Sequence, residues 1–134
     1  MLRNTCEVFG GYECIVGFFE GRKNFGRLAR ETMESNSSSC WISVVTVWEA
    51  AIKIGLGTLK IDYDLQRDLP RLIEENGFHY LGLDLADAAS VQHIETVHRD
   101  PFDRMLVSQA RRMHCAILSS DKVFTEYGIH QIWD

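Results

Sequence analysis

Three short stretches hold the side chains best placed for chemistry: Trp48-Glu49, the run His98-Arg99-Asp100-Pro101-Phe102-Asp103-Arg104-Met105-Leu106, and Ile117-Leu118-Ser119-Ser120-Asp121. Their common currency is the carboxylate. Hard divalent cations take oxygen ligands, so gathered carboxylates suit Mg²⁺ or Mn²⁺ rather than zinc or copper. A cation held this way lowers the pKa of a water, orients it for in-line attack on a phosphodiester and stabilises the leaving oxygen. Such chemistry needs no side-chain nucleophile.

The acids are not equivalent. Pro is favoured at the first helical position and Asp as the residue before it, so Asp100 has a sufficient structural role as the N-cap of a helix that Pro101 opens. Asp103 falls in the first turn, where a negative charge suits the helix dipole. At 100° per residue it also shares a face with Val107 and Ala110, beside Leu106. A carboxylate on a buried stripe needs a partner, which makes Asp103 the better metal-ligand candidate. Asp121 follows an apolar strand candidate by two serines, and ligands in parallel α/β sheets sit beyond the carboxyl ends of strands. It could equally cap the next helix. Glu49 borders the apolar face Val44, Val45, Trp48, Ala51 and Ile52, one turn before Lys53. On its own that spacing reads as an exposed i,i+4 ion pair of a few tenths of a kcal/mol. His98 and His114 read as packing or surface residues.

The elements that must position these acids alternate. A basic amphipathic helix is expected over Gly26–Met33, then a polar loop and a buried strand over Cys40–Val44. Helices follow over Thr46–Ile54, stopped by Gly55-Leu56-Gly57, and over Asp68–Asn76, with Pro70 in the first turn and Gly77 after the end. Tyr80–Leu83, Cys115–Leu118 and Ile129–Trp133 read as strands, and Ala86–Thr96, Pro101–Met113 and Lys122–Tyr127 as helices. This order predicts an α/β three-layer sandwich with a mainly parallel sheet and helices on both faces, in a single domain of 134 residues. The first 25 residues resist the scheme, because Gly10-Gly11 interrupts the place where a central strand should begin. If they form that strand, it should pair poorly.

Composition narrows the class. A hydrophobic content of 46% and a charged content of 25% are ordinary for a globular domain. No apolar run approaches the ~20 residues of a membrane span, and the N-terminus lacks a signal peptide's apolar core, so a cytoplasmic location is expected. Cys6, Cys14, Cys40 and Cys115 lack zinc-ligand spacing and are expected as free thiols. A net charge of −5 argues against coating nucleic acid by bulk electrostatics. Local basic groups exist at Arg22, Lys23, Arg27 and Arg30, and at Arg99, Arg104, Arg111 and Arg112. Arg104 could meet an RNA phosphate or a partner's carboxylate.

Together the motifs resemble a known family. Ser43-Val44-Val45-Thr46-Val47-Trp48-Glu49-Ala50-Ala51-Ile52-Lys53 with Gly57-Thr58-Leu59 is similar to the second motif of VapC-type PIN-domain toxins. The run from His98 to Ala110 resembles the third. Leu118-Ser119-Ser120-Asp121 with Phe124 and Tyr127-Gly128 resembles the fourth. The resemblance spans roughly residues 21–134. It implies a PIN-like three-layer fold and a Mg²⁺- or Mn²⁺-dependent endoribonuclease, silenced by a cognate VapB-like antitoxin and usually dimeric. Carried over by position, Glu49, Asp103 and Asp121 are three of the family's four acids.

The fourth is missing. The family opens with a buried strand ending in an Asp, and ungapped extension places Gly11 there, followed by Tyr12 and by Glu13, which could reach in to replace the missing acid. Two functions of different class therefore stay open: a metal-dependent ribonuclease toxin, or an impaired PIN module that binds an antitoxin or RNA without cleaving. A flavodoxin-like binding domain has no Gly-rich phosphate loop to support it. If Gly10–Val16 are encoded by suitable codons, a one-base change of reading frame there would restore an Asp at Gly11. Sequencing the gene tests this: an Asp codon is expected there in a shifted frame, and its absence from both shifted frames rejects the idea.

Overall fold

The computed structural model describes residues 8–97 and 99–134. Five strands form its sheet: β1 (Val8–Gly10), β2 (Cys40–Ser43), β3 (His79–Leu81), β4 (Ala116–Leu118) and β5 (Gln131–Ile132). They lie in the order β3-β2-β1-β4-β5, and every pairing is parallel. Around them run α1 (Arg27–Ser35), α2 (Val44–Gly55), α3 (Leu65–Glu75), α4 (Leu85–Ser90), α5 (Pro101–Met113) and α6 (Val123–Glu126). The expected PIN-like α/β architecture with a parallel sheet is present.

Strand alternation sends side chains to two separate cores, as a sheet covered on both faces requires. Phe9 and Ile117 point to one, with Leu106, Val107 and Ala110 of α5 and Phe124 of α6. Val8, Cys40, Ile42 and Leu118 point to the other, with Ala29 and Met33 of α1 and Leu69 and Ile73 of α3. Ile42, Phe9 and Ile117 are completely buried.

The N-terminal segment departs from expectation. β1 is the central strand and pairs on both sides: Val8 lies opposite Cys40 and Ala116, and Gly10 opposite Ile42 and Leu118. The glycines that weaken the pattern serve the turn that follows. A Cβ on Gly10 would lie 2.5 Å from Cys14 Sγ and 3.1 Å from Ile42 Cδ1. Only a bare backbone lets the single π-helical turn Cys14–Phe18 fold back onto the strand end.

Other boundaries shift for local reasons. α3 starts at Leu65 because Asp64 caps it, accepting from Arg67 N–H at 2.8 Å, so Pro70 lies inside the helix rather than in its first turn. The helix expected over 86–96 stops at Ser90 and tightens into a 3₁₀ turn, Val91–His93. Asp84 and Asp87 form a capping box at the start of α4. Asp87, fully buried, also takes the Arg112 guanidinium, with Nη2 to Oδ2 at 3.0 Å, which ties α4 to α5. α5 matches the expected bounds. Asp100 accepts from Phe102 N–H at 2.8 Å and Asp103 N–H at 3.4 Å, with Pro101 in the first turn.

Cys14 and Cys40 are buried free thiols, but Cys115 is disulfide-bonded, against the expectation for that residue. His98 lies outside the described residues. No described helix is long and apolar enough to cross a membrane.

Two tests address these anchors. Asp100→Ala should destabilise the protein by about 1 kcal/mol in urea unfolding, whereas Asp100→Asn, which still caps, should retain most of that stability; equal stability of Asp100→Ala and wild type would refute the cap. The second concerns the loop before α5, where Arg111 grips Glu95 through two bonds of 2.8 and 3.3 Å. Arg111 holds the Glu95 carboxyl down at about 2, below its ordinary 4.5. A depressed carboxyl stabilises the fold above its unfolded pKa and loses that contribution as pH falls through the folded value. Glu95→Gln should therefore flatten the fall of Tm between pH ~5 and ~2. An unchanged slope would show that the pair is not linked to stability.

Candidate functional site

In a doubly wound sheet the natural crevice lies beyond the strands' carboxyl ends, where the strand order reverses. Here that point falls between β1 and β4, the neighbours on either side of the reversal. A cavity of about 240 Å³ opens there, lined by Tyr12, Glu13, Glu49, Lys53, Asp100, Asp103, Leu106, Ser119, Asp121 and Phe124. All three acids expected from the motifs line it, and Asp100 and Glu13 join them.

Glu49 reaches the cavity because of how α2 is phased. Ser43 Oγ caps the helix, accepting from Val45 N–H at 3.1 Å, and donates to Gln109 Oε1 of α5 at 2.6 Å. Gln109 in turn donates to the Gly82 carbonyl at 3.2 Å. This fixed start turns Val45, Thr46, Glu49 and Ala50 inward. The apolar face read from the sequence is thus corrected: of its members only Val45 is buried, while Val44, Trp48, Ala51 and Ile52 are exposed. Trp48 meets Phe102 edge to face at a centroid distance of 5.1 Å. Glu49 is only 7% exposed, so the expected surface ion pair is instead half sunk in the cavity.

Lys53 supplies its counter-charge, with Nζ 3.1 Å from Glu49 Oε2 and 4.2 Å from the centroid of the Tyr12 ring. Burial pushes the Glu49 carboxyl up, the Lys53 bond and charge pull it back, and the charges of Asp100 and Glu13 add to the rise. Burial alone would lower the Lys53 ammonium, but Glu49, Tyr12 and Asp100 outweigh it and leave it raised. Tyr12 is raised mainly by burial, opposed by Lys53. The lysine and tyrosine were not singled out as cavity residues in the sequence. The i,i+4 step from Glu49 to Lys53 was the one available signal.

Asp103 sits in the first turn of α5, half-buried, as helix phase predicts. Asp121 is more exposed. Its N–H donates to Ser119 Oγ at 3.1 Å and its Oδ1 accepts from Val123 N–H at 3.1 Å, so it also organises the start of α6. Gln131 braces the same turn by donating to the carbonyls of Ser119 and Asp121 at 3.1 and 2.7 Å. Glu13 lies across from them. Its Oε2 accepts from Ser120 N–H at 2.9 Å, Ser120 Oγ at 2.6 Å and Ser119 Oγ at 3.4 Å. Gly11 continues the strand end, donating to the Leu118 carbonyl at 3.1 Å.

The arginines behave differently from expectation. Arg104 donates through Nη2 to the Val91 and Ile94 carbonyls at 3.2 and 2.9 Å, so it braces the loop before α5. Arg111 and Arg112 are engaged by Glu95 and Asp87. Much of the basic cluster therefore serves the fold.

As chemistry, a set of Asp and Glu oxygens fits a hard divalent cation. As geometry, no three described His, Cys, Asp or Glu side chains converge closely enough to hold one. The cavity gathers the right donors but does not present them as a closed cage.

Comparison with known proteins follows the same lines. The PIN domain family model matches residues 13–129. The structure resembles DNA-bound VapBC from Salmonella typhimurium, with a TM-score of 0.64 and 19% identity over 95% of this chain and 97% of that one. It also resembles FitAB bound to an IR36 DNA fragment (0.63, 13%, 92% of each chain) and FitAcB from Neisseria gonorrhoeae (0.61, 16%, 92% and 95%). No curated protein sequence matches it. A family match over most of the chain, on a fold with the acids at its switch point, leads to one conclusion: the protein belongs to the PIN domain family.

Proposed function

We propose that this protein is a VapC-type endoribonuclease toxin that hydrolyses RNA phosphodiester bonds with Mg²⁺ or Mn²⁺. One observation carries the reading: Glu49, Asp103 and Asp121, from three separate motifs, line a single cavity at the end of the parallel sheet. Those three are the proposed ligands, and they would have to draw together to hold the cation, since no three described acids converge. When bound, it supplies an activated water and stabilises the developing charge on the leaving oxygen. The chain's own residues prepare the place. Ser43 and Gln109 fix the phase of α2 and so aim Glu49 inward. Pro101 and the Asp100 cap set the first turn of α5 that carries Asp103. Ser119 and Gln131 hold the turn that carries Asp121. Lys53 balances Glu49 and tempers the repulsion among the acids.

A VapB-like antitoxin is the proposed partner, alongside a second copy of the chain and the RNA substrate. VapBC, FitAB and FitAcB are the relatives in structure that support a two-component assembly. The exposed stripe Val44, Trp48 and Ile52 on α2, with Leu56 just past its end, suits such protein contact, Leu56 being 73% exposed. The proposed location is the cytoplasm.

A second reading has its own support, because glycine stands where the family's first acid is expected and no three acids among the described residues converge. In that reading the chain binds an antitoxin or RNA without cleaving.

A cleavage assay on purified protein with a mixed RNA substrate separates the two. With Mn²⁺ we expect cleavage that EDTA abolishes and that Asp103→Asn or Asp121→Asn each reduces about a hundredfold or more. Cleavage persisting in both variants would overturn the acid-site mechanism. Absence of cleavage by the wild type, with RNA or antitoxin binding retained, would establish the binding module.

A further inference from the structure

A second cavity, of about 220 Å³, adjoins the acid-lined one, and its wall is of a different kind: Arg22, Asn24, Phe25 and Trp133. Glu13 lines both cavities, and the serine turn it binds gives Ser119 to the first and Ser120 to the second. The two are therefore neighbours across one thin partition. A chain laid over that partition would meet carboxylates on one side and an aromatic, cationic surface on the other.

The aromatic surface is held in place. The Trp133 carbonyl accepts from Ala29 N–H at 2.9 Å, which ties it to the first turn of α1. Its indole rests on the bare backbone of Gly26, where a Cβ would lie 2.7 and 2.8 Å from ring atoms Cδ2 and Cε2. Phe25 supports it edge to face at a centroid distance of 4.9 Å. Trp133 nevertheless stays partly exposed, and a ring fixed this way loses little freedom when a ligand meets it.

The cations beside it are the part of the first basic cluster that the fold leaves available. Arg27 is matched by Glu31 and Asp134. Arg30 donates to the Arg22 carbonyl at 2.9 Å and lies 5.3 Å from the Phe25 ring centroid, so it braces the loop from within. Arg22 is oriented through Nη2 by Glu20, whose side chain is 3% exposed, and by the Lys60 carbonyl at 3.4 Å. Among the described residues nothing engages its Nε or Nη1, and its side chain is 42% exposed. Lys23 and Asn24 follow it, both exposed and with no side-chain partner among the described residues. In a chain of net charge −5 this rim is a local exception, and it complements a phosphate backbone.

We propose that this second cavity receives the nucleotide next to the scissile phosphate of a single-stranded RNA. Trp133 meets the base, the Asn24 amide faces its hydrogen-bonding edge, and Arg22 with Lys23 contacts the phosphates. Unpaired RNA bases are recognised by this combination of an aromatic surface, a polar side chain and a basic rim. The proposal rests on the ribonuclease reading above and adds the residues that would choose where the strand lies.

Binding of a short fluorescein-labelled single-stranded RNA, followed by anisotropy in EDTA, tests this without reading cleavage. Trp133→Leu should weaken intact RNA about tenfold and a strand of abasic nucleotides far less, while Trp133→Phe keeps most of the affinity. Lys23→Gln should reduce the slope of log affinity against log salt by about 0.7, as loss of one phosphate contact requires. Asn24→Asp, at an exposed position, should weaken binding severalfold at unchanged Tm. If Trp133→Leu weakens intact and abasic strands equally, the ring does not meet a base and the proposal is overturned. Should Trp133→Leu fail to fold, Asn24→Asp decides, and unchanged affinity in that variant rejects the site. If the protein cleaves RNA with Mn²⁺ yet all these variants bind as wild type does, the proposal falls while the ribonuclease reading stands. If the wild type neither binds nor cleaves RNA, both fall together.

Discussion

Like charges brought together in a small, partly dry space repel, and the arrangement at the end of this sheet is an answer to that constraint. Five carboxylates share a cavity of about 240 Å³. Four of them are compensated from different directions. Lys53 faces Glu49, backbone N–H groups at the start of α5 face Asp100, the Val123 N–H faces Asp121, and the two serines with a backbone N–H face Glu13. Helix N-termini and serine hydroxyls can do this because they offer donors and partial positive charge without adding a cation. The residue types around the acids follow from that need.

The sheet sets where this happens. Because β1 is central and its neighbours run parallel, the carboxyl ends of β1, β2 and β4 come out on one edge. The helices that leave them start within reach of one another. Side chains buried on both faces hold the strands in register, and the capping residues Ser43 and Asp100 decide which way the helices turn as they depart. Core packing and site geometry are therefore one problem here. A slip in the β1 register would move Gly11 and Glu13 relative to Ser119 and Ser120 before it touched any acid directly.

What could be read from the sequence depended on how local each determinant is. α5 was legible to its ends because Asp100-Pro101 is a self-contained start signal, and the phase of Asp103 follows from that start. The parallel sheet was legible from element order, and the lining of one cavity by Glu49, Asp103 and Asp121 from the resemblance of their motifs to the PIN family. The orientation of α2 was not. The helix is apolar on nearly every side, with Val44, Val45, Val47, Trp48, Ala50, Ala51 and Ile52, so periodicity could not choose a face, and the Ser43–Gln109 contact chose it instead. α3 was read one turn late because Pro70 looked like a start signal while Asp64 provided the real one. β1 was obscured for a different reason. A three-residue strand with glycine at its end carries almost no pattern of its own, and its identity comes from two partners distant in the sequence.

That last feature bears on synthesis of the protein. The Glu13 carboxylate and the Ser120 groups that hold it are 107 residues apart, and β4 is the strand that brings Ser120 alongside. A chain still emerging from the ribosome and short of that strand has neither Asp121 nor the serine turn, and its earlier acids have nothing to be gathered against. Contacts of such long sequence separation also form late, because the entropy of closing the intervening loop must be met first. The acidic cavity is thus absent from any N-terminal fragment that stops short of β4 and the turn after it.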